Sequence, residues 1–268
     1  MAREIGARVY GNATVTQYGG NAELGAAVAE AFAKAARKAL TQRDSIAVIL
    51  ATGNSQLSFA KAVGDRDDID WPRITILHMD EYLGMREDHP ASFRRWMREN
   101  IVSRVAPGGF EGVRADHTPV EEELIRYGNL LRNLDPSITV MGIGENGHLA
   151  FNDPPADFDT PDLVRVVTMD ERSRRQQVGE GHFASLDETP TRAISLTIPA
   201  LLRSATVLVG VPELRKAEAV RSALEGPITP NCPASILRQR GHSHIFLDRD
   251  SASGLSETVS RAPQRDSP

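Results

Sequence analysis

Short apolar runs alternate with helical segments along most of this 268-residue chain, and the alternation strongly limits the folds it can adopt. The runs Ser45–Thr52 and Ile138–Ile143 are short and almost uniformly apolar, which indicates strands that are buried on both faces. Strands that are joined by helices run parallel in one sheet. We therefore predict a single-domain α/β fold of Rossmann-like type, with an open, mostly parallel sheet and helices on both faces.

The same patterns predict the remaining elements. Further strands are expected at Ile74–Asp80, Ala205–Val211 and His244–Leu247, and helices at 22–40, 55–63, 90–105, 119–133 and 213–224. The folded domain is predicted to span residues 1–248. Residues 249–268 are rich in Ser, Arg, Asp and Pro and are predicted to form a disordered tail.

Composition excludes several classes of function. The net charge is −5 without a basic block, which argues against nucleic acid as a partner. No apolar run approaches the roughly 20 residues that span a bilayer, so no membrane partner is expected. A single cysteine, Cys232, excludes an internal disulfide framework and a cysteine-based zinc site. Together with the lack of a signal-peptide pattern, this predicts a cytoplasmic protein.

Three segments carry candidate site residues, and the first is Thr52, Gly53, Asn54 and Ser55. These residues end a predicted strand and open a helix, where backbone N–H groups and the helix dipole favour an anion such as phosphate. An ordinary strand-to-helix turn with a serine cap is the alternative, and the residues alone do not decide between them. A nucleotide P-loop is excluded because no Gly-Lys-Ser/Thr follows.

The second segment contains Asp80 and Glu81 at the end of a predicted strand. Two carboxylates are costly to desolvate, so a polar opening is expected there, although a solvated strand end is the alternative. Strand alternation sends the two side chains to opposite sides, so only one of them should face a given pocket. The neighbouring His78 is interpreted as structural.

The third segment runs from Met141 to Asp153, where glycines, Asn146, His148 and Asp153 follow an apolar run. In open α/β sheets, ligands bind outside the carboxyl ends of the strands, so this order is typical of an active site. The alternative is a loop histidine bonded to the backbone. No second histidine stands at ligand spacing, and no metal site is therefore expected.

Taken together, these motifs resemble the glucosamine-6-phosphate deaminase family, whose superfamily also contains the 6-phosphogluconolactonases. The resemblance runs from about Ala51 to Leu247. It rests on Ala51-Thr52-Gly53-Asn54-Ser55, on Met79-Asp80-Glu81-Tyr82, on Gly142 to Pro154 and on Leu196-Thr197-Ile198-Pro199. The sequence Ala150-Phe151-Asn152-Asp153-Pro154 has the deaminase form, whereas lactonases typically carry Ala-Ser-Leu-Phe-Pro there.

The resemblance implies an activity and a role for each residue. Glucosamine 6-phosphate would be converted to fructose 6-phosphate and ammonia without a metal or organic cofactor. Residues 52–55 and Lys216 would bind the phosphate, His148 would assist ring opening, and Asp80 would move the proton from carbon 2 to carbon 1. The implied partner is a small-molecule sugar phosphate.

The chain departs from the family pattern in its catalytic loop and in its lid. Well-studied members often carry Asp at the position of Asn146 and Glu at that of Asp153, so we expect a backbone shift or a water to connect the shorter Asp153 to His148. The family's phosphate-binding arginine aligns with Gln177. Either Arg172 or Arg175 takes its place as a lid contact, or the lid at about residues 157–186 is rearranged, and the sequence does not choose between these alternatives.

The resemblance also bears on regulation and leaves two other activities open. Allosteric members are hexamers whose effector site uses a Ser and an Arg, and gapless alignment from Asn152 places Ala156 and Leu163 there. The sequence does not determine whether this chain forms a homo-oligomer. The alternatives to the deaminase are a 6-phosphogluconolactonase and a non-catalytic sugar-phosphate sensor.

Overall fold

A computed structural model describes residues 4–256, which form strands and helices in alternation. The strands are β1 (Glu4–Tyr10), β2 (Ala13–Tyr18), β3 (Ile46–Leu50), β4 (Ile74–His78), β5 (Asp80–Tyr82), β6 (Gly109–Glu111), β7 (Ile138–Met141), β8 (Val164–Thr168), β9 (Arg192–Leu196), β10 (Thr206–Val211) and β11 (Ser243–Leu247). The α-helices are α1 (Asn21–Leu40), α2 (Leu57–Gly64), α3 (Phe93–Met97), α4 (Ser103–Val105), α5 (Val120–Leu134), α6 (Glu171–Gly179), α7 (Ile198–Leu201) and α8 (Ala217–Glu225).

The main sheet has eight strands in the order β1-β2-β11-β10-β7-β3-β4-β6. Every pairing in it is parallel except that of β1 with β2. The predicted α/β class and mostly parallel sheet are thus confirmed. The antiparallel hairpin at one edge was not predicted, because β1 is a largely exposed edge strand without a buried apolar run.

Helices cover both faces of this sheet. Along β3, Ile46, Val48 and Leu50 pack into one core cluster with α1 and α2, whereas Ala47 and Ile49 pack into another with α5 and α8. This alternation between two cores explains why every residue of β3 is apolar and buried. None of the helices in residues 4–256 is both long and apolar enough to cross a membrane.

A second sheet of three antiparallel strands, in the order β5-β9-β8, adjoins the first. The run predicted as one strand over Ile74–Asp80 is therefore divided: β4 ends at His78, and Asp80 begins β5, where it pairs with Ser195. Between the strands, the Leu196 N–H donates to the Met79 carbonyl at 2.8 Å. The chain thus passes from one sheet to the other at the residue that precedes Asp80.

Two predicted boundaries also differ from the structure. The helical stretch predicted from residue 90 begins at Phe93, because Ser92 caps it by accepting a hydrogen bond from the Arg95 N–H, and a π-helical segment over 98–102 interrupts it. At the other end of the chain, residues 249–256 form turns in which Ser251 and Ala252 are buried. This part of the predicted disordered tail is folded, and residues 257–268 lie outside the described residues.

The fully buried Tyr127 on α5 holds the carboxyl end of β4. Its hydroxyl donates to the His78 carbonyl at 2.6 Å and accepts from the His78 N–H at 3.2 Å. Nε2 of His78 accepts from the Val113 N–H at 2.7 Å, and burial lowers the pKa of His78 to about 3. A neutral, fully buried His78 is in accord with the structural role predicted for it.

Removing this hydroxyl should be costly. We predict that Tyr127→Phe lowers the free energy of unfolding by about 1–3 kcal/mol in urea denaturation, because buried backbone groups of His78 lose their partner. Tyr10→Phe is the matched control, since the Tyr10 hydroxyl is buried without a hydrogen bond to any described residue. An equal loss in both variants would show that the bond to His78 contributes nothing specific.

Candidate active site

A cavity opens at the carboxyl ends of the neighbouring strands β7, β3 and β4, and α6 covers it. Such a position is where open α/β sheets bind ligands, because loops from adjacent strands diverge there. Its polar lining comprises Thr52, Ser55, Gln56, Asp80, His148, Gln176, Gln177, Glu180, His182 and Lys216. Predicted residues from distant segments are thereby brought together in the lining, namely Thr52, Gly53, Ser55, Asp80, His148 and Lys216, whereas Asn54, Asn146 and Asp153 do not line the cavity.

The loop after β3 has the form expected of an anion site. Gly53 adopts a left-handed backbone with φ of 95°, and a 3₁₀ turn (Asn54–Gln56) leads directly into α2. Thr52, Gly53 and Ser55 line the cavity. Asn54 does not, because its Nδ2 donates instead to the backbone carbonyl of Glu180 at 3.0 Å. Of the four predicted residues, three thus lie at the cavity and one connects the loop to the end of α6.

Lys216 adds a positive charge to the cavity lining. It lies in a 3₁₀ turn (Leu214–Lys216) that follows β10, and only 2% of its surface is exposed. Burial lowers the pKa of Lys216 to about 8, although the nearby negative charge of Glu180 opposes the shift. Within residues 4–256 no carboxylate oxygen lies within 4 Å of its ammonium group. An anionic ligand can therefore satisfy this charge.

Asp80 faces the cavity from the first position of β5 and is 7% exposed. Burial raises the pKa of its carboxyl group to about 8, and the adjacent charge of Glu81 raises it further. No side-chain hydrogen bond from another residue in the described part of the chain reaches this carboxyl group. Asp80 is thus a carboxyl group of raised pKa that is available to a ligand.

Glu81 points to the other side of the strand, as alternation predicted. Its carboxylate accepts from the Ser92 hydroxyl at 2.8 Å and from the Arg94 N–H at 3.0 Å. Burial raises the pKa of Glu81 to about 7, with these hydrogen bonds opposing the shift. Glu81 therefore fixes the start of α3 and does not line the cavity.

A hydrogen-bonded group orients His148. Its Nδ1 lies 3.1 Å from Oδ1 of Asp153, which also accepts from Nδ2 of Asn146 at 2.9 Å. The contact between His148 and the shorter aspartate is direct, so of the two expected routes, a water or a backbone shift, the water is not needed. The other Asp153 oxygen accepts from the Asp170 N–H at 2.8 Å. Burial alone would raise the pKa of Asp153, but these partners outweigh it and lower the pKa.

The cavity side of α6 differs from the prediction. Arg172 bonds Glu218 and is 50% exposed, and Arg175 bonds Glu171 and is 67% exposed, so neither lines the cavity. The reason is helical spacing, which turns another face of α6 toward the site. That face consists of Ser173, Gln176 and Gln177, and Glu180, the residue that caps the carboxyl end of α6, follows one turn later.

The glutamines of α6 are themselves held in place. Oε1 of Gln177 accepts from the Tyr82 hydroxyl at 2.6 Å, and Oε1 of Gln176 accepts from the Glu145 N–H at 2.9 Å. Gln56, Gln176, Glu180 and His182 also line the cavity, and none of them was predicted as a site residue. The spacing of residues 173, 176, 177 and 180 on one helix face is the signal that could have found Gln176 and Glu180.

The arrangement places the loop after β3, whose form is that expected of an anion site, and a buried lysine in the same cavity as an available carboxyl group and an oriented imidazole. These are the groups needed to hold a phosphorylated ligand and to move protons on it. In residues 4–256 no cluster of three or more His, Cys, Asp or Glu side chains is arranged to hold a metal ion.

The raised pKa of Asp80 makes stability depend on pH. The pKa of Asp80 is about 8 in the folded protein, whereas its ordinary value is 3.8. The stabilising contribution of protonated Asp80 is therefore full below pH 3.8 and is lost as the pH rises to about 8. We predict that Asp80→Asn, which cannot ionise, becomes progressively more stable than the wild type as pH rises through this range. Urea denaturation of both proteins at several pH values measures the difference. A difference that does not vary with pH would mean that Asp80 is ionised in the folded protein.

Comparison with known proteins identifies relatives over most of the chain. The family model described as glucosamine-6-phosphate isomerases/6-phosphogluconolactonase matches residues 20–246. A glucosamine-6-phosphate deaminase of Exiguobacterium sibiricum is 34% identical over 224 residues, which are 81% of this chain and 84% of that protein.

Solved structures share the fold. The structure of a monomeric glucosamine-6-phosphate deaminase matches with a TM-score of 0.83 and 28% identity, covering 90% of this chain and 99% of that chain. A 6-phosphogluconolactonase from Shewanella baltica matches with a TM-score of 0.72 and 21% identity, covering 87% of this chain and 97% of that chain. The second likeness concerns the fold alone.

Proposed function

This chain belongs to the glucosamine-6-phosphate isomerase/6-phosphogluconolactonase family, as its motifs predict, and we propose that it is a glucosamine-6-phosphate deaminase. The reaction converts glucosamine 6-phosphate and water to fructose 6-phosphate and ammonia. One observation carries the proposal: the available carboxyl group of Asp80 shares a cavity with a histidine oriented by Asp153 and with an anion-binding loop. Isomerisation of an aldose by proton transfer needs a base, which this carboxylate can provide, whereas hydrolysis of a lactone needs only an activated water.

The anion-binding loop and Lys216 account for recognition of the phosphate. Backbone N–H groups at the start of α2, the hydroxyls of Thr52 and Ser55 and the buried ammonium group would surround the phosphate oxygens. The sugar would then extend toward Asp80 and His148. Carbon 2, which bears the amine, and carbon 1, which becomes the aldehyde carbon, would lie next to these two side chains.

Proton transfer follows from the two titratable groups. Asp153 accepts at Nδ1 of His148, which leaves Nε2 to exchange a proton with the ring oxygen as the pyranose opens. Asp80 in its ionised form takes the proton from carbon 2 and returns it to carbon 1. The resulting imine at carbon 2 adds water and releases ammonia, so that one water is consumed for each ammonia formed.

Ammonia release is the test of this function. Purified protein should form fructose 6-phosphate and ammonia from glucosamine 6-phosphate at equal rates without added metal. Asp80→Asn should lower turnover on the order of a hundred- to ten-thousand-fold while substrate still binds, because it removes the base. Glu81→Gln, with its side chain outside the cavity, should lower turnover less.

Other outcomes would identify another activity. Rapid hydrolysis of 6-phosphogluconolactone without ammonia from glucosamine 6-phosphate or galactosamine 6-phosphate would establish a lactonase. Saturable binding of a sugar phosphate without turnover of any of these compounds would establish a sensor. Equal turnover by Asp80→Asn and the wild type would remove Asp80 from the mechanism.

The two positions of the family's effector site offer no polar groups here. Ala156 is buried, and Leu163 packs against the hydrophobic core. We therefore predict hyperbolic saturation with glucosamine 6-phosphate and no activation by its N-acetylated form, because an effector acts only through differential affinity. Initial rates with and without the N-acetylated compound measure this. A sigmoidal curve that the compound makes hyperbolic would contradict the prediction.

Location and assembly belong to the same proposal. A single free cysteine is typical of reducing compartments, which supports a cytoplasmic location. The oligomeric state, including a homo-oligomer, can be measured by sedimentation of the purified protein.

A further inference from the structure

A carboxylate occupies the anion-binding end of the cavity. The Glu180 side chain is 6% exposed, and its Oε2 lies 3.7 Å from the point where a Cβ on Gly53 would stand. Its Oε1 accepts from Nε2 of Gln176 at 2.8 Å. The Glu180 carboxylate thus lies over the glycine of the loop that we assign to the substrate phosphate, where a second anion would be repelled.

Arg215 is the main cationic partner of this carboxylate. Its guanidinium lies 3.0 Å from Oε1 of Glu180 and 3.2 Å from Oε1 of Glu145, and it also bonds Glu213 at 2.5 Å. Arg215 immediately precedes the cavity-lining Lys216. Arg215 is thus shared among three carboxylates, of which only Glu180 lines the cavity, and Nε2 of His182 lies 3.7 Å from the other oxygen of Glu180.

We propose that the substrate phosphate displaces the Glu180 carboxylate from Arg215, whose guanidinium then binds the phosphate. The proposal rests on the proposed function and names Arg215 as a specificity-determining residue of the same site. Arg215 does not itself line the cavity; it contacts the lining carboxylate of Glu180, so its guanidinium becomes accessible to the phosphate when the Glu180 side chain moves.

In this displacement, the substrate phosphate takes the place of the Glu180 carboxylate, so that the Arg215 guanidinium keeps an anionic partner. A phosphate dianion beside the Glu180 carboxylate would be repelled, whereas at Arg215 it replaces that carboxylate in charge-assisted hydrogen bonds. Guanidinium groups suit this exchange because their planar donors fit carboxylate and phosphate oxygens alike. The backbone of Glu180 can remain bonded to Asn54 while the side chain moves, since that bond involves only its carbonyl.

The first experiment measures affinity for inorganic phosphate by calorimetry and KM for glucosamine 6-phosphate. Arg215→Gln should weaken both roughly ten- to hundredfold, with kcat changed much less, because a charged hydrogen-bonding partner of the phosphate is lost. Arg221→Gln is the control, because Arg221 also pairs with a glutamate but is 65% exposed on α8. It should leave both values unchanged.

The second experiment separates displacement from a structural ion pair. Glu180→Gln should tighten phosphate binding on the order of threefold or more, because the competing charge is gone while the side-chain shape is kept. A structural role for the Glu180–Arg215 pair instead predicts weaker binding in both variants. Thermal unfolding of each variant verifies that it is folded.

Clear results would overturn the proposal. Unchanged phosphate affinity in Arg215→Gln, or weaker affinity in folded Glu180→Gln, would show that the phosphate does not exchange with Glu180 at Arg215. Because calorimetry requires no turnover, these results remain distinct from a failure of the deaminase assay. A wild-type protein that binds phosphate as proposed but releases no ammonia would contradict only the proposed function.

Discussion

The site depends on the burial of two adjacent carboxyl groups, those of Asp80 and Glu81, at the point where the chain passes from the main sheet to the second sheet. Glu81 offsets its burial with hydrogen bonds from Ser92, Arg94 and the Tyr82 N–H. Asp80 receives no comparable bonds within residues 4–256, and burial raises its pKa to about 8. One carboxyl group therefore stabilises the start of α3, while its neighbour is left available inside the cavity. The fold bears the cost of desolvating Asp80, and the proposed chemistry uses it.

The pKa values of groups that line the cavity are shifted in directions that suit proton transfer near neutral pH. Burial raises the pKa of Asp80 and lowers that of Lys216, so both titrate at about 8. The hydrogen bonds of Asp153 outweigh its burial and keep it ionised beside His148. Asp80 and Asp153 thus have pKa values that are shifted in opposite directions, which is typical of sites that need both an acid and a base. The same cavity thus contains a carboxyl group with a raised pKa, an ammonium group with a lowered pKa and a histidine with a fixed orientation.

Features carried by local pattern could be predicted from the sequence. Buried parallel strands are nearly continuous apolar runs, so β3 and β7 were visible, and Gly53 marked the loop that follows β3. The pairing of His148 with Asp153 followed from their closeness in sequence and from the family resemblance. The alternation of a strand also separated Asp80 from Glu81 correctly.

Features set by long-range packing could not be predicted in the same way. The second sheet joins short strands that are far apart in sequence, and β5 has only three residues, so no local period marks it. Arg172 and Arg175 were chosen for their charge, but the rotation of α6 is fixed by what it packs against. Glu180 lies in the site for the same reason. Its contact with Arg215 joins residues that are far apart in sequence, so it could be seen only in the structure.

The role proposed for Asp80 rests on its protonation in the free protein, which infrared spectroscopy can measure. Infrared difference spectra between the wild type and Asp80→Asn would report the carbonyl stretch of a protonated buried carboxyl group as pH is raised. We expect the band to persist through neutral pH and to disappear with a midpoint at about pH 8, the pKa of Asp80. A spectrum that shows Asp80 already ionised at about pH 5, near the ordinary range of an aspartate, would contradict this expectation.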